Sequence, residues 1–135
     1  MRLPTSADVD AAAQFIGPHL PPTPLVRSES LSVLLGCDYA AKCENLQPVG
    51  AFKVRGGVNL VGRLSDDERQ AGLISASTGN HGQSIAWAGR LFGASVVIYA
   101  PAEGANPTKL EAIRRLGAEV RQHGKDFDDA RIAAG

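Results

Sequence analysis

Two segments of this sequence contain residue types that could do chemistry, and the first is centred on a lysine. Lys53 belongs to the segment Asn-Leu-Gln-Pro-Val-Gly-Ala-Phe-Lys-Val-Arg-Gly-Gly at residues 45–57, where a loop enters a helix predicted over about residues 52–64. The positive end of a helix disfavours a second cation, so a lysine placed there is a better amine nucleophile and can form a Schiff base with an aldehyde. The spacing alone leaves open the alternative of an ordinary exposed lysine on an amphipathic helix.

The second segment, Ser-Ala-Ser-Thr-Gly-Asn-His-Gly-Gln at residues 75–83, joins a predicted buried strand to a predicted helix. Backbone N–H groups at the start of a helix can receive a carboxylate or a phosphate, and Ser77, Thr78 and Asn80 add side-chain donors. The segment matches neither G-x-G-x-x-G nor the P-loop, so it does not predict a dinucleotide or nucleoside triphosphate site. The alternative is a strand–helix turn with a capping Asn and no ligand.

The elements that must position these segments alternate in type from residue 73 onward. The apolar run at 95–100 is typical of a strand that is buried on both faces of a parallel sheet. Helices are predicted over 80–92, after Asn106 and after Asp126. The last of these is expected to turn Phe127 and Ala130 inward. Strands are predicted over 73–77, 95–100 and 119–122. This order predicts an α/β fold with a parallel sheet flanked by helices and 95–100 at its centre.

The sequence before residue 51 is less regular. It predicts a short helix over about residues 7–16, a proline-rich extended segment at 18–24, and short strands at 25–27 and 39–43. A helical turn at 31–35 is expected to stop at Gly36.

Composition excludes several classes of function. Among 135 residues, 14 Lys plus Arg balance 14 Asp plus Glu and aromatic residues make up 5%, which gives no footprint for nucleic acid or an anionic membrane. No apolar run approaches the roughly 18 residues of a membrane span. The first ten residues lack a signal-peptide core, so the expected location is the cytoplasm. Cys37 and Cys43 fit free thiols, and no metal site is expected because the histidines do not cluster.

Together the two segments resemble the signature of fold-type II pyridoxal-phosphate (PLP) enzymes, especially threonine dehydratases, serine dehydratases and serine racemase. Thr23-Pro24-Leu25, Gly117-Ala118-Glu119-Val120 and Phe127-Asp128 also resemble landmarks of that family, in the family's order, from about residue 20 to the end. The resemblance implies a tryptophan-synthase-β-like fold, PLP as cofactor and Lys53 as its catalytic Schiff-base lysine. It implies cofactor contacts from Phe52, Lys53 and Asn80, and a substrate-carboxylate site made by Ser77, Thr78, Asn80 and His81.

For function, the resemblance implies loss of water from threonine or serine to give a 2-oxo acid and ammonia. It also implies that residues 1–50 belong to a larger PLP domain and that 51–135 form an incomplete smaller α/β domain. The family's glycine-rich phosphate loop has no counterpart up to residue 135, so we expect a truncated form with little activity alone. We further expect an amino-acid substrate and a homo-oligomer. The alternative is a non-catalytic fragment or interaction module that self-associates or pairs with another chain.

Two positions depart from the family pattern. Ala51 stands where the family commonly has Ser, and Thr78 stands where relatives vary between Ser and Ala. The resemblance links the second position to the balance between dehydratase and racemase behaviour, so the sequence leaves both reactions open.

Overall fold

The computed structural model describes residues 2–135, which form seven α-helices, one 3-10 helix and five strands. The helices are α1 (Ser6–Ile16), α2 (Glu29–Leu35), α3 (Lys53–Gly62), α4 (Asp66–Ala71), α5 (Asn80–Phe92), α6 (Pro107–Arg115) and α7 (Phe127–Ala134), and the 3-10 helix is Glu44–Leu46. The strands are β1 (Leu25–Arg27), β2 (Ala40–Lys42), β3 (Leu73–Ala76), β4 (Val96–Ala100) and β5 (Glu119–Gln122).

The centre of the fold is a three-stranded parallel sheet in the order β3-β4-β5. Val96, Ile98 and Ala100 of the central strand β4 are buried, while β5 is polar and lies at an edge. The predicted α/β class, the parallel sheet and the central position of β4 are therefore confirmed. Because β3 and β4 run in parallel, the loop after Ala76 leaves the sheet at its carboxyl edge, where ligands of such folds commonly bind.

Helices α3 and α5 pack closely and form one side of the core. Val54, Val58 and Val61 of α3 are fully buried, as is Ala88 of α5. Side chains spaced by three and four residues share one helix face, which is why the periodic valines line this contact.

Local signals set the limits of the helices that border the predicted site. Helix α5 ends at Gly93, which adopts the left-handed conformation (φ 72°) that glycine tolerates best. Helix α6 begins with Pro107 after Asn106, whose side-chain oxygen accepts hydrogen bonds from the N–H groups of Thr108 and Lys109. These caps were readable in the sequence, and the predicted bounds of α5 and the start of α6 are confirmed.

One prediction about the core is wrong. Ala130 of α7 is fully buried, but Phe127 is 45% exposed. Helix α7 contacts β3 and β4, and Ala130 is its buried residue, whereas Phe127 at the first helical position stays in contact with solvent.

The segment from residue 25 to residue 42 forms a separate small unit. Strands β1 and β2 pair antiparallel, with Leu25 opposite Lys42. Helix α2 has no buried residue, and its Val33 and Leu34 are 79% and 78% exposed. This apolar surface is covered by no other part of residues 2–135.

None of the helices in residues 2–135 combines the length and the apolar character that crossing a bilayer requires.

Candidate functional site

Lys53 is the first residue of α3, at the junction of loop and helix that the sequence predicts. Its side chain is exposed, and its ammonium lies 5.2 Å from the centroid of the Phe52 ring, which is itself 61% exposed. Within residues 2–135, no carboxylate lies within salt-bridge distance of Lys53. Its amine is therefore open to a ligand from solvent.

An ion pair closes the loop that leads to Lys53. Arg55 donates from Nε to Oε2 of Glu44 and from Nη2 to Oε1, both at 2.8 Å. The Thr23 hydroxyl donates to the same carboxylate at 2.6 Å. The hydrogen bonds from Arg55, followed by the one from Thr23, lower the pKa of Glu44 to about 2. Glu44 is thus a carboxylate that stabilises this segment over the whole neutral range.

A buried glutamine ties the same loop to the proline-rich segment. Gln47 is 3% exposed, and its Nε2 donates to the carbonyl of Pro21 at 3.2 Å. Its Oε1 is the buried side-chain oxygen that finds no partner within residues 2–135. Gly50 (φ 66°) then turns the chain toward α3.

The polar loop after β3 has a cap of its own, and it differs from the alternative considered from the sequence. Asn80 is the first residue of α5 and does not cap it, and the N-cap residue is Gly79. The acceptor comes from two residues earlier: Oγ of Ser77 accepts hydrogen bonds from the N–H groups of Gly79 (3.2 Å) and Gly82 (2.8 Å). Ser77 is buried, whereas Thr78, Asn80 and His81 are exposed. The acceptor capacity of Ser77 is therefore used within the loop.

The first two N–H groups of α5 do not bind the Ser77 hydroxyl. The backbone N–H groups of Asn80 and His81 have no hydrogen-bond partner among the described residues. Unpaired N–H groups at the start of a helix attract anions because they carry the positive end of the helix dipole. The loop can thus accept a small carboxylate through its backbone.

His81 links this loop electrostatically to Lys53. Its Nε2 lies 3.1 Å from the Ser75 hydroxyl. Partial burial, and then the positive charge of Lys53, lower the pKa of His81. Both causes favour the neutral form of the imidazole.

A second cation approaches the loop from α6. A Cβ placed on Gly79 would lie 3.4 Å from Nζ of Lys109, so the Lys109 side chain covers the loop at that residue. The sequence analysis did not single out Lys109. The available signal was Asn106-Pro107, which places Lys109 in the first turn of α6.

The structure brings most of the predicted site residues to one region. Lys53 and Phe52 lie at the start of α3, and the loop from Ser77 to His81 lies at the start of α5, which packs against α3. By contrast, no three His, Cys, Asp or Glu side chains of residues 2–135 gather as a metal site requires. The arrangement defines a parallel α/β protein with an exposed lysine at the start of one helix and a polar loop at the start of the helix packed against it.

Comparison with known proteins identifies the family to which the chain belongs. The model of the family described as "Pyridoxal-phosphate dependent enzyme" matches residues 16–135. The chain therefore belongs to this family, whose members use PLP, and the resemblance drawn from residues 45–57 and 75–83 is confirmed.

Individual relatives narrow the comparison. The chain is 38% identical over 125 residues to "L-threonine dehydratase biosynthetic IlvA" of Mycobacterium tuberculosis, covering 93% of this chain and 27% of that protein. The structure of processed threonine deaminase isoform 2 from Solanum lycopersicum matches with a TM-score of 0.83 and 34% identity, over 97% of this chain and 39% of that one. Serine racemase from Dictyostelium discoideum matches with a TM-score of 0.86 and 32% identity, over 96% and 41%. The chain thus spans between about a quarter and two fifths of the relatives it matches.

Proposed function

We propose that this chain supplies the lysine and the substrate-carboxylate loop of a PLP-dependent threonine/serine dehydratase. The reaction removes the β-hydroxyl and the amino group, so threonine yields 2-oxobutanoate and ammonia, and serine yields pyruvate and ammonia. The observation that carries the proposal is the packing of α3, which begins with Lys53, against α5, which begins with the polar loop, with a hydrogen bond from Ser84 of α5 to the Lys53 carbonyl at 2.7 Å. Relatives named threonine dehydratase and threonine deaminase support the choice of reaction.

The residues of this region fit the aldehyde end of the cofactor. Lys53 offers an amine without a carboxylate partner among residues 2–135, and the exposed Phe52 ring has its centroid 5.2 Å from that amine. The Asn80 amide, at the first position of α5, is exposed as well. Lys53, Phe52 and Asn80 are therefore the residues that would hold PLP in this chain. When bound, PLP supplies a conjugated ring that accepts electron density from the substrate α-carbon.

The chain's own groups divide the remaining tasks. The backbone N–H groups of Asn80 and His81 and the Thr78 hydroxyl bind the substrate carboxylate, while Ser77 holds the loop in shape from beneath. The amine of Lys53 takes the proton from the substrate α-carbon, which requires the amine to be neutral and within contact distance. Lys109 adds a positive charge at the edge of the carboxylate site.

The wider assignments are part of the same proposal. Residues 1–50 would belong to the larger PLP domain and residues 51–135 to the smaller one, in a cytoplasmic homo-oligomer that acts on an amino acid. A phosphate is what anchors PLP most firmly in enzymes of this class, and residues 1–135 offer no glycine-rich loop of the family's kind for it. We therefore expect these 135 residues by themselves to show little turnover.

A second candidate function is a non-catalytic fragment that associates with itself or with another chain. The exposed apolar side chains of α2, above all Val33 and Leu34, support this candidate.

Covalent labelling tests the proposal directly. The protein is incubated with PLP, reduced with borohydride, digested and analysed by mass spectrometry for the labelled lysine. Because residues 1–135 offer no phosphate loop, we expect the labelling to be weak overall but highest at Lys53. Lys53→Ala should remove that share, whereas the exposed Lys125→Ala serves as the matched control and leaves it unchanged. Equal labelling of all exposed lysines would contradict the site assignment.

Turnover separates the two candidate functions. With saturating PLP and threonine or serine, we expect 2-oxo acid formation close to the Lys53→Ala background. Robust turnover that disappears in Lys53→Ala would show that association of several copies completes the site.

A further inference from the structure

A single side-chain hydrogen bond joins the two segments of the proposed site. The Ser84 hydroxyl, on α5, donates to the backbone carbonyl of Lys53 at 2.7 Å. Ser84 lies one helical turn after His81, so these two residues share the face of α5 that is turned toward α3. The Ser84 side chain is fully buried.

Helices α3 and α5 also approach each other so closely at this point that little space is left for side chains. A Cβ placed on Gly57 of α3 would lie 2.2 Å from Oγ of Ser84 and 2.6 Å from its carbonyl oxygen. Any side chain at residue 57 would therefore push the two helices apart. Ser84 thus sits in a gap that admits a hydroxyl and little more.

The hydrogen bond from Ser84 restrains the backbone at Lys53. A buried hydroxyl without a partner is unfavourable, so Ser84 holds the carbonyl of Lys53 in place whenever α3 and α5 are packed. The same helix α5 begins with the N–H groups of Asn80 and His81. Ser84 therefore fixes the backbone of the lysine relative to the loop, while the amine itself stays free.

We propose that Ser84 is a positioning residue, which sets the separation between the Lys53 amine and the carboxylate loop through its bond to the Lys53 carbonyl. This inference rests on the proposed function of Lys53 and the loop. Neither PLP nor substrate touches Ser84, because the residue is enclosed between the two helices. Its effect on the reaction is indirect and acts through the geometry of Lys53.

The first test measures the bond itself and needs no cofactor. In Ser84→Ala we expect the Lys53 carbonyl carbon to shift upfield in NMR spectra. We also expect amide hydrogen exchange at residues 55–57 to become about fivefold faster, the change that corresponds to one lost hydrogen bond. Ser32→Ala is the matched control, because the Ser32 hydroxyl also donates to a backbone carbonyl, that of Ser28 at 2.9 Å, but lies in α2. An unchanged Lys53 carbonyl in Ser84→Ala overturns the proposal.

The second test measures position through PLP labelling of Lys53 relative to Lys125. We expect Ser84→Ala to lower this ratio at least about threefold, since small displacements of a reacting group are costly, and Ser32→Ala to leave it unchanged. The thiol of Ser84→Cys is a weak donor and is larger than the hydroxyl that the gap admits, so the labelling ratio of this variant is expected to fall as well. A ratio that stays at the wild-type value in both Ser84 variants, or that Ser84→Cys fully retains, overturns a role for the hydrogen bond.

The two tests also separate this inference from the proposed function. If the wild type labels Lys53 no better than Lys125, the proposed function fails, and the NMR test still decides whether Ser84 fixes the lysine backbone. If the wild type prefers Lys53 but the Ser84 variants do too, the function stands and the positioning role is wrong.

Discussion

The loop that leads to Lys53 and the loop at residues 77–81, which opens α5, are held in place by different kinds of contact. The first is closed by a charged pair, Glu44 with Arg55, whose side chains are 18% and 31% exposed. The second is held by the neutral Ser77 hydroxyl, which accepts two backbone hydrogen bonds. The difference predicts that the stability contributed by Glu44 and Arg55 depends on pH and that the stability contributed by Ser77 does not.

Removing the charge of Glu44 is expected to have the largest effect on stability. Glu44→Gln should lower the free energy of unfolding at pH 7 by about 2 kcal/mol, because Arg55 is left partly buried without its carboxylate. The pKa of Glu44 is about 2 when folded, against 4.5 ordinarily, so the unfolded chain binds the proton first. The difference between wild type and variant should therefore be fully present above pH 4.5 and shrink as the pH falls toward 2, as measured by urea unfolding.

The exposed pair of Glu111 and Arg115 in α6 provides the control for that prediction. The two side chains are 50% and 77% exposed, so solvent screens their attraction. Glu111→Gln should change the free energy of unfolding by less than about 0.5 kcal/mol at pH 7. An equal loss of unfolding free energy in the Glu44 and Glu111 variants would show that the partly buried pair contributes no more than the exposed one.

Removing the Ser77 hydroxyl from the loop at residues 77–81 is expected to have a smaller effect on stability, and one that does not vary with pH. Ser77→Ala should lower the free energy of unfolding by about 1 kcal/mol, because the N–H groups of Gly79 and Gly82 lose their acceptor. The loss should be the same at pH 7 and pH 4, and Thr78→Ala, at an exposed neighbouring residue, should be nearly neutral. A loss in Ser77→Ala that disappears on acidification would contradict the neutral character of this anchor.

The smallest expected effect is electrostatic and joins the two regions. The charge of Lys53 contributes to the low pKa of His81, although partial burial contributes more. Lys53→Met should therefore raise the pKa of His81 without restoring its ordinary value, as followed by NMR titration of the imidazole. A pKa of His81 that is the same in the wild type and in Lys53→Met would mean that the two groups lie too far apart to interact.

The order of elements was largely predictable because its signals are local. The Asn106-Pro107 start of α6, the glycine at the end of α5 and the apolar run of β4 each act within a few residues, and the structure confirms them. The prediction failed at Phe127, where the sequence showed a periodic apolar residue but not that Ala130 is the residue of α7 that is buried.

The candidate site was predicted in part for the same reason. Lys53 and the loop at residues 77–81 were found because each belongs to a contiguous motif. The residues that hold them were missed, since Arg55 and Ser84 are ordinary residues for helices and reveal their roles only through partners elsewhere. The cap of α5 was assigned to Asn80 in the alternative considered, and the structure shows that the preceding Ser77 accepts the bonds instead.

The sequence by itself determined the family, the lysine at the start of α3 and the alternation of strands and helices, because motifs and periodicities are properties of neighbouring residues. Only the tertiary structure decided which groups hold that lysine. Glu44 and Arg55 are 11 residues apart in the chain, and Ser84 and Lys53 are 31 apart. Such pairs meet because the packing of α3 against α5 and the turn before α3 bring them within hydrogen-bond distance, and no local pattern encodes a distance between remote segments.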